Sequence, residues 1–192
     1  MTLYLIRHPH TQLDPARPAS QWRLSDRGQA QVRALVELPL WSGVTALYTS
    51  QEYKTTVVGE AVKAAHGLPF TSIHGLGEAR RDRWLDGEDF EAAQRAFFAR
   101  PDASPVPDWE SAESAHRRFM AALDGILRQH PTGESLAVVS HATVLTLCTA
   151  HLAGAAPTIE RWRSIGFMAI MAVDRTTRRP LTAFLVAPYE GL

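Results

Sequence analysis

Two short apolar runs, far apart in the chain, each stop at a histidine. Residues 2–6 (TLYLI) lead into Arg7 and His8, and residues 136–139 (LAVV) lead into Ser140 and His141. Short uninterrupted apolar runs of this kind read as strands buried on both faces. Such strands belong to parallel sheets covered by helices, and the sites of those sheets lie beyond the carboxyl ends of the strands. The chain is therefore expected to be α/β, with its chemistry carried at strand ends.

The rest of the pattern agrees. A third run, Val44 to Tyr48, ends in Thr49 and Ser50, and a shorter one spans Phe70 to Ile73. Helical spacing follows the strands. Ala30, Val32, Leu35 and Val36 form one helix, opened by Asp26 three residues before Gln29 and stopped before Pro39. Val57, Val58, Ala61, Ala64 and Ala65 form another, closed by Gly67. The longest helix carries Ala112, Ala115, Phe119, Leu123, Ile126 and Leu127 and ends at the turn containing His130, Pro131 and Gly133. A further helix spans Ala142 to Leu152, and Ile165–Val173 with Leu181–Val186 read as a terminal hairpin. Residues 75–109, with a short helix near Phe90–Phe98, read as a small insertion or cap on one domain spanning 1–192.

Composition narrows the function. Lysine plus arginine and aspartate plus glutamate both total 20, so no net field draws in nucleic acid or an anionic membrane. Any anion site must be local. The single cysteine, Cys148, excludes an internal disulfide and fits a reducing, cytoplasmic setting. The N-terminus reaches Arg7 too early for an export signal. The apolar stretch from Leu136 to Ala156 carries Ser140, His141 and His151 and is better explained as strand plus helix than as a membrane span. A second copy of the chain, in a homodimer, is one option as a partner. Neither metal nor cofactor is expected.

A crevice holding Arg7, His8 and His141 suits a phosphate monoester. Arginine offers a planar fork of donors to the equatorial oxygens. A neutral imidazole attacks phosphorus directly, and neighbouring cations keep it neutral. His141 can donate to the same oxygens as charge shifts. A carboxylic acid opposite the nucleophile can protonate the leaving oxygen; the candidate is Glu78.

At these residues the sequence resembles the histidine phosphatase superfamily, also called phosphoglycerate mutase-like. The elements are Arg7-His8-Pro9-His10-Thr11, Leu24-Ser25-Asp26-Arg27-Gly28-Gln29-Ala30, Leu76-Gly77-Glu78, Glu110-Ser111 and Val138-Val139-Ser140-His141-Ala142, in the family's order. The resemblance implies a three-layer α/β/α sandwich with a mostly parallel mixed sheet. It implies a metal-independent phosphomonoesterase of the histidine acid type, with His8 phosphorylated, Glu78 as proton donor, and Arg7 and His141 as phosphate ligands. By the same resemblance Lys54, Thr11 and Asp14 stand at phosphate-binding positions. A phosphoglycerate mutase-type transferase and a non-catalytic phosphate-binding member are the alternatives.

Four positions depart from the family's pattern. Pro9 replaces a glycine, which removes a backbone donor but leaves a carbonyl to orient His8. Lys54 replaces an arginine and loses the bidentate fork. Asp14 replaces an asparagine and brings a carboxylate toward an anion, and Ala142 replaces a glycine. Arg80, Arg81 and Arg83 can reach a second anionic group on the substrate, although a solvated loop explains them more simply. Trp84 and Trp109 either wall a pocket or pack the insertion. Ser50 reads equally as a helix cap, and His66, His74, His116, His130 and His151 as structural.

Overall fold

The computed structural model describes residues 1–131, 133–190 and 192. Five strands form one sheet in the order β3-β2-β4-β1-β5: β1 (Thr2–Arg7), β2 (Val44–Thr49), β3 (Phe70–Ser72), β4 (Ser135–Ser140) and β5 (Ile170–Asp174). The first four run parallel and β5 pairs antiparallel with β1. Alternate residues of the strands face opposite layers. Leu3, Leu5, Leu136 and Val138 pack with α3 (Gly87–Ala99), α4 (Ala112–Gln129) and α5 (Ala142–Leu152). Ile6, Ala137, Val139 and Ile170 pack with α1 (Asp26–Val36) and α2 (Tyr53–His66) on the other face. The architecture is a three-layer α/β/α sandwich with a mixed, mostly parallel sheet.

The register of β1 against β4 does most to place the site. Arg7 pairs with Ser140, so the next residue of each strand, His8 and His141, emerges at the same height. β2 lies beyond β4 and β5 lies beyond β1, so connections leave the β1/β4 junction in opposite directions and open a crevice there.

Helix α5 reads as a continuous apolar run because it is buried almost all round; Thr146 and Thr149 return their hydroxyl hydrogens to the carbonyls of Ala142 and Leu145, both at 2.8 Å. With β4 it accounts for the long apolar stretch, and no described helix is long and apolar enough to cross a membrane. Gly67 closes α2 in the left-handed conformation at φ 67°.

Three expectations change. The cap of α1 is Ser25, whose side chain accepts the Gly28 N–H at 3.1 Å, with Asp26 as the first helical residue. The terminal hairpin keeps only its first strand. Pro180 lacks a ladder donor and the Thr182 hydroxyl takes the Ala172 N–H, so residues 180–185 touch β5 through isolated bridges. A short helix, α6 (Ile159–Ser164), capped by Thr158, precedes β5 where no element was expected. Residue 132, inside the expected turn after α4, lies outside the described residues.

Candidate active site

His8 sits just past β1, and its backbone is gripped from both sides. Its N–H donates to Ser140 O at 2.9 Å, and its carbonyl accepts from Met168 N at 3.2 Å. The loop that follows is fixed to α1 by His10 N to Gln31 Oε1 at 2.8 Å and by Ser25 N to His10 O at 3.2 Å. Gly28 permits this approach, since a Cβ there would stand 2.0 Å from His10 O. The His8 ring is 7% exposed, and its Nδ1 lies 2.8 Å from the Pro9 carbonyl. That bond places the proton on Nδ1 and leaves the Nε2 lone pair for an electrophile. The acceptor kept by Pro9 is the one orientation needs.

The His141 ring lies 5.2 Å from that of His8, centroid to centroid, and is fully buried. Its Nε2 is 2.8 Å from Ser50 Oγ and 3.1 Å from Glu52 Oε1. Nε2 therefore carries hydrogen, and Nδ1 has no partner among the described residues. Burial lowers the pKa of both imidazoles. His8 falls well below 6.5, with the charges of His141, Lys54 and Arg7 pushing further. His141 falls to about 4, because burial and the Lys54 and Arg7 charges outweigh Glu52 and Glu78. Both rings are neutral at pH 7.

Arg7 lies with its guanidinium carbon 3.8 Å from the Phe167 centroid, donates to Ile165 O through Nη1, and leaves Nε without a partner among the described residues. Burial brings it down to about 10, far above neutrality. Arg7, His8, Thr11, Lys54, Glu78 and His141 line one cavity of about 650 Å³. Among the described residues, no three His, Cys, Asp or Glu side chains converge to hold a metal ion.

Glu78 is held as an anion. It accepts N–H groups from Ala79 (2.9 Å), Thr143 (3.2 Å) and Val144 (3.3 Å), and Arg81 stands 3.5 Å away. The last two amides belong to the first turn of α5, whose own cap residue His141 supplies no side-chain acceptor. Glu78 thus caps a helix from another segment, where the dipole favours negative charge. Burial raises its pKa, but the Arg81 and His141 charges and the Ala79 and Thr143 amides prevail and lower it. The expected acid is a carboxylate in the unliganded protein.

Lys54 reaches the cavity already paired. Its Nζ is 2.7 Å from Glu52 Oε2 and donates to Ala19 O at 2.8 Å. Asp14 does not join the group. Its carboxylate accepts Ala16 N–H and pairs with Arg17 at 3.3 Å, the self-bonding habit of a turn aspartate, and it does not line the cavity.

Glu52 was missed by the sequence reading. It binds His141, Lys54 and, at 3.0 Å, the Glu78 N–H. Burial raises its pKa, but the His141 and Lys54 charges and those hydrogen bonds bring it to about 2. The signal available was a carboxylate two residues before Lys54 in a segment expected to bind an anion, a charge reversal that calls for a cationic partner. Ser50, read equally as a cap, is His141's partner.

The buried neutral histidines have a consequence for stability. The unfolded chain binds more protons than the folded one below about pH 6.5, so stability declines as pH falls through that value. For His141 alone the loss at pH 5 is about 2 kcal/mol. Urea midpoints measured at pH 7 and pH 5 should differ accordingly, and equal midpoints would contradict neutral burial.

The arrangement comprises a free imidazole nitrogen, a second imidazole beside it, a buried lysine, a half-buried arginine and a carboxylate at a helix terminus, which together suit in-line transfer of a phosphoryl group. Comparison with known proteins gives the same family. The structure is similar to that of Bacillus stearothermophilus YhfR (TM-score 0.76, 20% identity, 95% of each chain covered). It is similar to a mycobacterial glucosyl-3-phosphoglycerate phosphatase solved with inorganic phosphate (0.75, 17%, 93% of each). A phosphoserine phosphatase mutant from Entamoeba histolytica, solved with phosphoserine, matches at 0.73 with 16% identity and 95% of each chain covered. No curated protein matches by sequence. The model of the histidine phosphatase superfamily (branch 1) matches residues 3–185, and the chain belongs to that superfamily.

Proposed function

We propose that the chain is a metal-independent phosphomonoesterase that acts on a small phosphate ester through phosphohistidine at His8. The observation that carries this reading is the pairing of His8 Nδ1 with the Pro9 carbonyl, which commits Nε2 to the cavity that Arg7 and His141 also line. In the first step Nε2 bonds to phosphorus as the bond to the leaving oxygen breaks. Arg7 holds the equatorial oxygens, and His141 joins it once its Nδ1 takes up a proton, which the negative charge of the bound ester favours. Glu78 gives the leaving oxygen a proton, which a monoanionic ester brings with it, since the carboxylate is ionised at rest. In the second step Glu78 takes a proton from water, the water oxygen bonds to phosphorus, and the P–N bond breaks to release phosphate and free His8.

Hydrolysis is preferred over return of the phosphoryl group to a second hydroxyl. A mutase must keep water from its phosphoenzyme, whereas Leu13 and Trp84 on the cavity wall are 61% and 41% exposed. Two of the similar structures carry the name of a phosphatase, which favours the same choice.

The test is incubation with an aryl phosphate in the presence of a chelator, with phosphate release followed in time and the protein quenched in base. Turnover together with an acid-labile phosphoprotein is expected. Turnover that needs an added divalent cation, or release without phosphoprotein under any quench, would overturn the mechanism. Binding of phosphate without turnover would favour a non-catalytic phosphate-binding protein.

A further inference from the structure

The cavity that holds the nucleophile has two unlike halves. One is the charged end at Arg7, His8 and His141. The other is walled by aromatic rings, with Trp22 against Trp84 (centroids 5.5 Å apart) and Phe90 against both Trp109 (5.9 Å) and Trp162 (6.0 Å). Two of the four indole N–H groups on this wall are spent on the protein, while Trp162 Nε1 is buried with no partner among the described residues. Trp22 donates to Asp14 O at 2.9 Å and Trp109 to Arg83 O at 2.9 Å, so what they offer the cavity is carbon. The Arg81 guanidinium, 5.1 Å from the Phe90 centroid and 5.3 Å from that of Trp109, adds a flat cation to the same wall.

Packing of residues 77–109 onto the sheet does not account for this surface. A ring recruited only for packing is covered by it, as Trp109 is at 5% exposure. Trp84, on the same wall, is 41% exposed, and Leu13 is 61% exposed. Uncovered apolar groups gathered beside a reactive site mark a surface that a ligand covers.

A second cavity, of about 840 Å³, shares Lys54, Glu78 and Arg81 but not Arg7, His8 or His141. Its arginines are largely engaged: Arg17 with Asp14, Arg80 with Asp82, and Arg118 with Glu110. The aromatic half, unlike this second cavity, belongs to the same space as His8.

We propose that the preferred substrate is a phosphomonoester whose alcohol carries a planar aromatic or heteroaromatic ring, held against Trp84 and Trp22 while the phosphate sits on Arg7 and His141. This rests on the phosphatase reading above and adds the substrate class. A rigid ring stacks on indole faces with little loss of freedom, whereas a hydroxylated aliphatic ester leaves the apolar wall wet.

The experiment compares benzyl phosphate, cyclohexylmethyl phosphate and glycerol 1-phosphate, whose alkoxide leaving groups need similar protonation. Expected is a kcat/KM for benzyl phosphate about tenfold above the other two, a ratio that Trp84→Ala collapses and Trp84→Phe retains. Equal values for the benzyl and cyclohexylmethyl esters, or a ratio unmoved in Trp84→Ala, would overturn it. Binding of benzylphosphonate against propylphosphonate, measured by calorimetry, separates the two readings. Tighter benzylphosphonate binding without turnover supports the aromatic site and defeats the phosphatase, whereas turnover without ring preference defeats the aromatic site alone.

Discussion

His8→Ala is expected to lower aryl phosphate hydrolysis by about four orders of magnitude or more, and to abolish the phosphoprotein. The size follows from what is removed. His8 Nε2 is the atom that bonds to phosphorus in the proposed reaction, and its ring neighbours offer no substitute. His141 directs Nε2 into Ser50 and Glu52, and its buried Nδ1 must be protonated before it can donate to a phosphate oxygen. The fold should survive, because the grip on residue 8 is made by its backbone, through Ser140 O and Met168 N. Circular dichroism and retained phosphate binding check that. Added imidazole should restore part of the activity by filling the space left by the ring. A variant that keeps more than about a tenth of parental turnover would show that the nucleophile lies elsewhere.

Glu78→Gln is expected to have the next largest effect, and one that depends on the leaving group. For an alkyl phosphate, whose departing oxygen needs a proton, kcat/KM should fall by about 10²–10⁴-fold. For 4-nitrophenyl phosphate, whose leaving group departs without one, the loss should stay within about tenfold. Because Arg81 and the neighbouring amides keep Glu78 ionised at rest, the proton must arrive with the ester. Activity of the parent on alkyl phosphates should therefore decline above about pH 6, where the phosphate monoanion is lost. It should persist well below the ordinary histidine range on the acid side, because His8 stays unprotonated there. An equal loss on both substrates would instead point to a structural role, since glutamine cannot match the carboxylate as acceptor for Ala79, Thr143 and Val144.

The order of strands and helices was legible in the sequence because burial imposes it. LAVV is too short for a helix and is bounded by polar residues, so it is hidden as an inner strand, whereas the spacing through Phe119, Leu123 and Ile126 puts one apolar stripe on a helix. Turn and cap chemistry was legible where one residue decides it, as at Gly67, and not where two compete, as at Ser25 and Asp26. The terminal hairpin failed for a similar reason: Leu181–Val186 has the composition of a strand, but the proline and threonine beside it disrupt the ladder.

The sequence by itself determined that Arg7, His8 and His141 stand at the ends of buried strands, because an apolar run must stop where charged and polar groups begin. Only the tertiary structure decided that β1 lies beside β4 with Arg7 opposite Ser140, which brings the two rings within 5.2 Å. It also decided that Glu52 binds His141 and Lys54, that Glu78 caps α5, and that Asp14 turns away to Arg17. Those outcomes depend on strand register and on which charges become buried together. Both are properties of pairs of residues distant in the chain, so no local window of sequence contains them.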